Sequence, residues 1–184
     1  MRIAITAEST VDLTEQLLTE YKIRIIPFTV MMGNRVGLDG EIKQDDIMEY
    51  LANNKDLPKT SAINEVQYTE FFEDVLKDND AIVHFSLSSE LSSAYSNAVK
   101  ASKQFNNVYV IDSRALSSGM ALLLLYVKRL IEKQLPITRK IQEGWNIHVH
   151  SVCTCLPMAS FCTRSMGLQF MQHPCTLSNW RRRP

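Results

Sequence analysis

The chain has 184 residues with twenty Lys or Arg against twenty Asp or Glu. A formal net charge of zero gives no pull toward nucleic acid or an anionic membrane, both of which need clustered basic charge. The length allows one full domain core, or one domain and a piece of another.

Arg2-Ile3-Ala4-Ile5-Thr6 starts a strand at once, without the basic, apolar and small-residue zones of a secretory leader, so a cytoplasmic location is expected. Asp12 is placed to cap a helix with the stripe Leu13, Leu17, Leu18 and Tyr21. The run Ile23 to Met32 reads as a strand that Pro27 bends or confines to a sheet edge, because proline cannot donate to a ladder. Gly37 to Gly40, with Asp39 between, reads as the turn that follows. Ile47, Tyr50 and Leu51 mark a second helix, and Pro58 stiffens a loop that presents Lys59-Thr60-Ser61. Asn64 caps a third helix over Val66, Phe71, Phe72, Val75 and Leu76. Ala81 to Phe85 is a strand, Tyr95, Ala98, Val99 and Phe105 form a fourth helical stripe, and Val108 to Ile111 is the last strand. The apolar stretch Met120 to Val127 is a core helix, far short of the ~20 residues that span a bilayer, so no stable membrane insertion is expected.

Short Ile- and Val-rich strands alternating with helices predict an α/β fold, a parallel sheet with helices on both faces. In such sheets ligands sit outside the carboxyl ends of the strands.

A break in composition falls near residue 144. All twenty acidic residues lie at or before Glu143 and the last lysine is Lys140, whereas all four cysteines and both tryptophans lie in the last 41 residues. Sixteen basic against twenty acidic residues leave −4 up to residue 143, and four arginines give +4 beyond it. Residues 1–143 are therefore read as the domain and 144–184 as an atypical tail with the character of a shifted reading frame or a misjoined gene.

Four hydroxyl clusters fall where buried strands end: Glu8-Ser9-Thr10, Thr60-Ser61, the run Ser86 to Ser93, and Ser113 with Ser117 and Ser118. Taken as one crevice, they offer many hydroxyl and backbone donors and almost no fixed positive charge, which suits a weak, singly charged anion such as a carboxylate. Capping explains one or two serines before Tyr95, not five within eight residues. Neither GxSxG nor a glycine-rich phosphate loop occurs, so enzyme chemistry is disfavoured and no cofactor is expected. His84, inside an apolar strand, reads as a core residue. His148, His150, Cys153, Cys155, Cys162, His173 and Cys175 lack the paired spacing of a zinc site, so no metal is expected, and Arg181 to Arg183 read as solvated charge.

VDL at 11–13 after EST, PKTS at 58–61, SSELSSAYSNA at 88–98 and VIDSRALSSG at 110–119 resemble, in order, the signatures of the DegV family of bacterial fatty-acid-binding proteins. The resemblance covers roughly the first 140 residues. It implies a two-domain α/β protein that holds a long-chain fatty acid and, in some members, presents the carboxyl group to a partner fatty-acid kinase. By the same resemblance Thr60 and Ser92 bind the carboxylate, with Ser61 and Ser93 beside them. The chain departs from the family's usual pattern with Glu8 in place of aspartate and with Ser93-Ala94 in place of glycine and threonine. The family's second domain, which helps enclose the acyl tail, is expected to be missing or incomplete here.

Burying a dozen methylenes contributes on the order of 10 kcal/mol, so loss of that enclosure predicts weak or no acyl binding by this chain. Two other readings of the same crevice are a small-molecule enzyme that depends on Asp112 or Glu8, and a non-functional truncated product.

Overall fold

The computed structural model describes residues 2–54 and 56–132. The tail from residue 144, with its cysteines, lies outside the described residues. In chain order the elements are β1 (Ile3–Glu8), a single 3-10 turn (Ser9–Val11), α1 (Glu15–Glu20), β2 (Ile23–Ile26), β3 (Thr29–Met32), β4 (Arg35–Leu38) and α2 (Gln44–Asn53). They continue with β5 (Lys59–Ser61), α3 (Glu65–Leu76), β6 (Ala81–Ser86), α4 (Ala94–Ser102), β7 (Val108–Asp112) and α5 (Ser118–Glu132).

The expected parallel sheet is present, in the order β2-β1-β6-β7. Its two central strands are buried on both faces, β6 along its whole length and β1 from Ala4 to Glu8, as their Ile, Val and Ala content requires. Ile5 pairs with Ile23 on one side and Val83 on the other. The chain steps from β1 to β2 in one direction and from β6 to β7 in the opposite one. Right-handed crossovers therefore put α1 on one face and α3 and α4 on the other, so helices cover both faces as expected. α3 buries Tyr68, Phe72 and Val75, and α5 buries Met120, Leu123, Leu124 and Val127.

Pro27 does more than bend a strand. The run from Ile23 to Met32 divides there between two sheets: β2 forms an edge of the parallel sheet, and β3 is the centre of a small antiparallel sheet ordered β4-β3-β5. Gly37 is not in a turn, as the sequence suggested, but pairs with Val30 inside β4. The hairpin turn is Gly33-Asn34, where Gly33 supplies the positive φ (57°) that a two-residue connection demands. Lys59-Thr60-Ser61, expected as a loop, forms the short edge strand β5 against β3.

Capping also divides between expectation and correction. Asn64 caps α3, accepting from the Gln67 N–H at 3.0 Å while the Gln67 side chain accepts from the Asn64 N–H at 2.9 Å. The cap of α1 is Thr14 rather than Asp12, which instead takes a left-handed conformation (φ 50°) after the 3-10 turn. Val66, counted in the α3 stripe from its spacing, is 64% exposed; Tyr68 fills the buried position instead. Among the described residues no helix is long and apolar enough to cross a membrane.

Phe72 packs against Tyr68, His84 and Phe105 with no exposure, so Phe72→Ala should cost about 3–5 kcal/mol by denaturant unfolding. Val66→Ala should stay within about 0.5 kcal/mol of the parent.

Candidate functional site

Successive strands lie to opposite sides of the β1–β6 pair, so the carboxyl ends of these two strands form the topological switch point where open α/β sheets bind ligands. Glu8 ends β1 there and is fully buried. Its Oε1 accepts from the Tyr68 hydroxyl of α3 at 2.5 Å and from the Ser86 hydroxyl of β6 at 2.6 Å, and its Oε2 accepts from the Leu87 N–H at 2.8 Å. Glu8 is thus neither a cap nor a free acid. It is the floor of the switch point, fastening β1, β6 and α3.

His84 sits within the same network and is fully buried, as its reading as a core residue required. Its Nδ1 shares a hydrogen bond with the Thr6 hydroxyl at 2.9 Å, and its ring lies edge-on to Tyr68 and Phe72. Its Nε2 is 3.7 Å from Glu8 Oε1, an electrostatic neighbour beyond hydrogen-bond length. Burial is the largest influence on Glu8 and acts to raise its pKa. The facing imidazole of His84, the Leu87 N–H and the Ser86 hydroxyl together outweigh it and hold the carboxyl below the usual carboxylate range. Burial, followed by the charge and hydrogen bond of Glu8, pushes the Tyr68 hydroxyl well above the ordinary phenol range.

Three loops are laced together around this floor. The Ser117 N–H donates to Thr10 O at 3.0 Å, the Ser88 N–H to Ala115 O at 3.1 Å, and the Ser113 N–H to Ser86 O at 3.0 Å. The hydroxyl clusters after β1, β6 and β7 therefore share one rim, as the sequence suggested. Arg114 and Ser117 both take left-handed backbone (φ 47° and 53°) in the loop after β7, a costly conformation that tends to gather at functional sites. The rim was expected to hold almost no fixed positive charge, but it carries the Arg114 guanidinium, whose Nε lies 3.9 Å from Asp112 Oδ2.

Most donors at the start of α4 are spent within the protein. Leu87 N–H serves Glu8, Ser89 N–H serves Asp112, Glu90 N–H serves Ser88 Oγ, and Ala94 N–H serves Ser92 Oγ at 3.1 Å. Ser86, Ser89 and Ser113 also spend their hydroxyl protons on protein acceptors. Ser92, half-buried, accepts the Ala94 N–H, and its own proton has no acceptor among the described residues. Ser93, next to it, is exposed and its hydroxyl has no partner among the described residues.

Thr60 pairs through its backbone with Val30 and is exposed, and its hydroxyl likewise has no partner among the described residues. Ser61 makes only a 3.5 Å contact to Ala62 O. The Asn97 side chain, one turn into α4 from Ser93, donates to Ile63 O at 2.9 Å and ties the exit of β5 to the start of α4. Ser9 Oγ accepts from the Phe28 N–H at 3.2 Å, tying the small sheet to the loop after β1. Thr60-Ser61 and Ser92-Ser93 thus belong to segments tethered to one rim, without a direct bond between the two pairs.

A hollow of about 490 Å³ lies at the amino end of the sheet, lined among others by Ile3, Ile5, Leu18, Lys22 and Lys128, and includes none of the hydroxyl clusters. Among the described residues no group of three His, Cys, Asp or Glu could hold a metal ion.

The family model for "Uncharacterised protein, DegV family" matches residues 2–153, and the chain belongs to the DegV family. A DegV domain-containing protein of Clostridium perfringens is 32% identical over 71% of this chain and 48% of its own length. A DegV domain-containing 15.5 kDa protein of Staphylococcus aureus is 30% identical over 74% of this chain and 96% of its own. Apart from such short relatives, the chain spans about half the length of the relatives it matches, 48% and 47% for two of them.

Among solved structures, a Thermotoga maritima protein that "reveals fatty acid binding function" is 27% identical, with a TM-score of 0.67 over 78% of this chain and 55% of its own. A stearic-acid-binding protein of Eubacterium ventriosum is 26% identical, with a TM-score of 0.66 over 72% and 48%. A DegV family protein of Thermus thermophilus, at 23% identity and a TM-score of 0.73 over 83% of this chain and 53% of its own, shares the fold.

Glu8→Gln keeps the shape of the side chain but turns an amide group toward hydroxyl and N–H donors, so it should destabilise the domain by about 2–4 kcal/mol. Because the folded Glu8 pKa is lowered, its contribution is fully present above about pH 4.3 and is lost as pH falls through the folded value. Unfolding measured from pH 7 down to pH 3 should therefore show the gap between parent and variant closing in acid.

Proposed function

We propose that this domain holds the carboxylate of a long-chain fatty acid at the rim of its parallel sheet, between the hydroxyls of Thr60 and Ser92, with Ser61 and Ser93 beside them. The observation that carries the reading is the state of the donors. The backbone N–H groups after β6 are largely committed inside the protein, whereas the Thr60 and Ser92 hydroxyl protons have no acceptor among the described residues. The fatty-acid binding described for the Thermotoga maritima and Eubacterium ventriosum relatives supports the same ligand class.

The domain does no chemistry of its own in this reading. Glu8 and Asp112, the two carboxylates that an enzyme would recruit, are both occupied as hydrogen-bond acceptors, which disfavours either as a free base. The protein acts in the cytoplasm, needs no cofactor, and presents the bound acid to a partner fatty-acid kinase. Charge-assisted bonds of roughly 1.5–3 kcal/mol each do little more than offset desolvation of the carboxylate. Affinity then comes from methylene burial, and the hydroxyls supply orientation.

Octanoate, short enough to stay soluble at the high concentrations that weak binding demands, should shift the amides around Thr60 and Ser92 first when titrated into ¹⁵N-labelled protein. Thr60→Ala and Ser92→Ala should each weaken binding by about tenfold. Shifts confined to the hollow at the amino end of the sheet, or variants that bind like the parent, would reject the assignment.

A further inference from the structure

We propose that Asp112 is a positioning residue for the acid headgroup, acting through Ser89 on the turn that presents Ser92; this rests on the fatty-acid reading above. Residues 88 to 92 form a hydrogen-bonded turn, in which Ser88 O accepts from the Leu91 N–H at 2.9 Å and the Ser92 N–H at 3.3 Å. The orientation of the turn thus fixes the orientation of Ser92. Asp112, at the end of the neighbouring strand β7, grips the start of that turn with both oxygens: Oδ1 accepts from the Ser89 N–H at 3.2 Å and Oδ2 from the Ser89 hydroxyl at 2.6 Å. Oδ1 also accepts from the Arg114 N–H at 3.0 Å, so one carboxylate sets the loops after β6 and after β7.

The fold does not need this grip to hold the loop in place. Leu87 is already fastened to Glu8, and Ser88 to Ala115. Ser89 is exposed, so its bond to Asp112 secures no core area. What Asp112 adds is rotational control of the turn about an end that is fixed already. The Ser92 oxygen is held from the other side by the Ala94 N–H, so a set turn aims the remaining Ser92 proton in one direction. A hydrogen bond aimed at a carboxylate weakens steeply as its angle departs from linear, so loosening the turn acts on the headgroup and leaves the alkyl chain alone.

The test compares octanoate with 1-octanol, which carries the same chain without the acid, by NMR titration of the full chain. Asp112→Ala and Ser89→Ala should each weaken octanoate binding roughly fivefold while leaving octanol binding unchanged, Ser89→Ala should also keep the parent melting temperature, and the double variant should bind octanoate no worse than Asp112→Ala alone. Octanoate affinity unchanged in either variant, or octanol affinity falling in parallel, would overturn the positioning role. If Thr60→Ala and Ser92→Ala both leave octanoate affinity unchanged, the fatty-acid reading fails and this inference with it. If those two variants weaken octanoate binding while Asp112→Ala does not, only the inference fails.

Discussion

A carboxylate without exposure closes the gap where β1 and β6 send their chains to opposite sides. Burying such a charge costs several kcal/mol unless its lone pairs are filled, and Glu8 fills them from three places: Tyr68 on α3, the Ser86 side chain on β6, and the Leu87 backbone just beyond it. These donors come together only when α3 is packed on the sheet and β6 lies in register with β1. Glu8 therefore links correct assembly of the core to the position of the loop that follows β6. The hydroxyl-rich rim is built outward from that point.

The electrostatic character of the rim follows from where its donors are spent. A helix start usually offers free N–H groups to an anion. Here Glu8, Asp112 and the hydroxyls of Ser88 and Ser92 take up most of them, and the Arg114 guanidinium faces Asp112. What remains is a small number of neutral hydroxyl donors on tethered backbone. Such a site can orient one weak acid but lacks the charge to hold a polyphosphate, in keeping with the fatty-acid binding described for DegV relatives.

The parallel sheet was legible because its two central strands are buried on both faces and must be written in residues such as Ile, Val and Ala, and Asn64 was legible because a capping box is local. The division at Pro27 was half legible. Proline forbids a continuous ladder, but the separate antiparallel sheet depends on β5, whose Lys59-Thr60-Ser61 has no apolar pattern and is exposed throughout. Val66 and Tyr68 were exchanged for a similar reason: spacing gives the period of a helix, while the phase at its first turn is set by which residue can reach Glu8. The roles of Glu8 and Asp112 were the least legible. Glu8 meets Ser86 across 78 positions and Asp112 meets Ser89 across 23, and side-chain pairs at such separations leave no local trace. In sequence each polar residue resembles an ordinary turn former, and only the topology makes it an anchor.

The most direct test of the account is a crystal structure of the protein soaked with octanoate. The carboxylate should lie between the Thr60 and Ser92 hydroxyls, with Glu8 still bonded to Tyr68, Ser86 and Leu87 beneath it. A carboxylate bound away from those hydroxyls, or one that displaces Glu8 from its donors to reach the switch point, would contradict it.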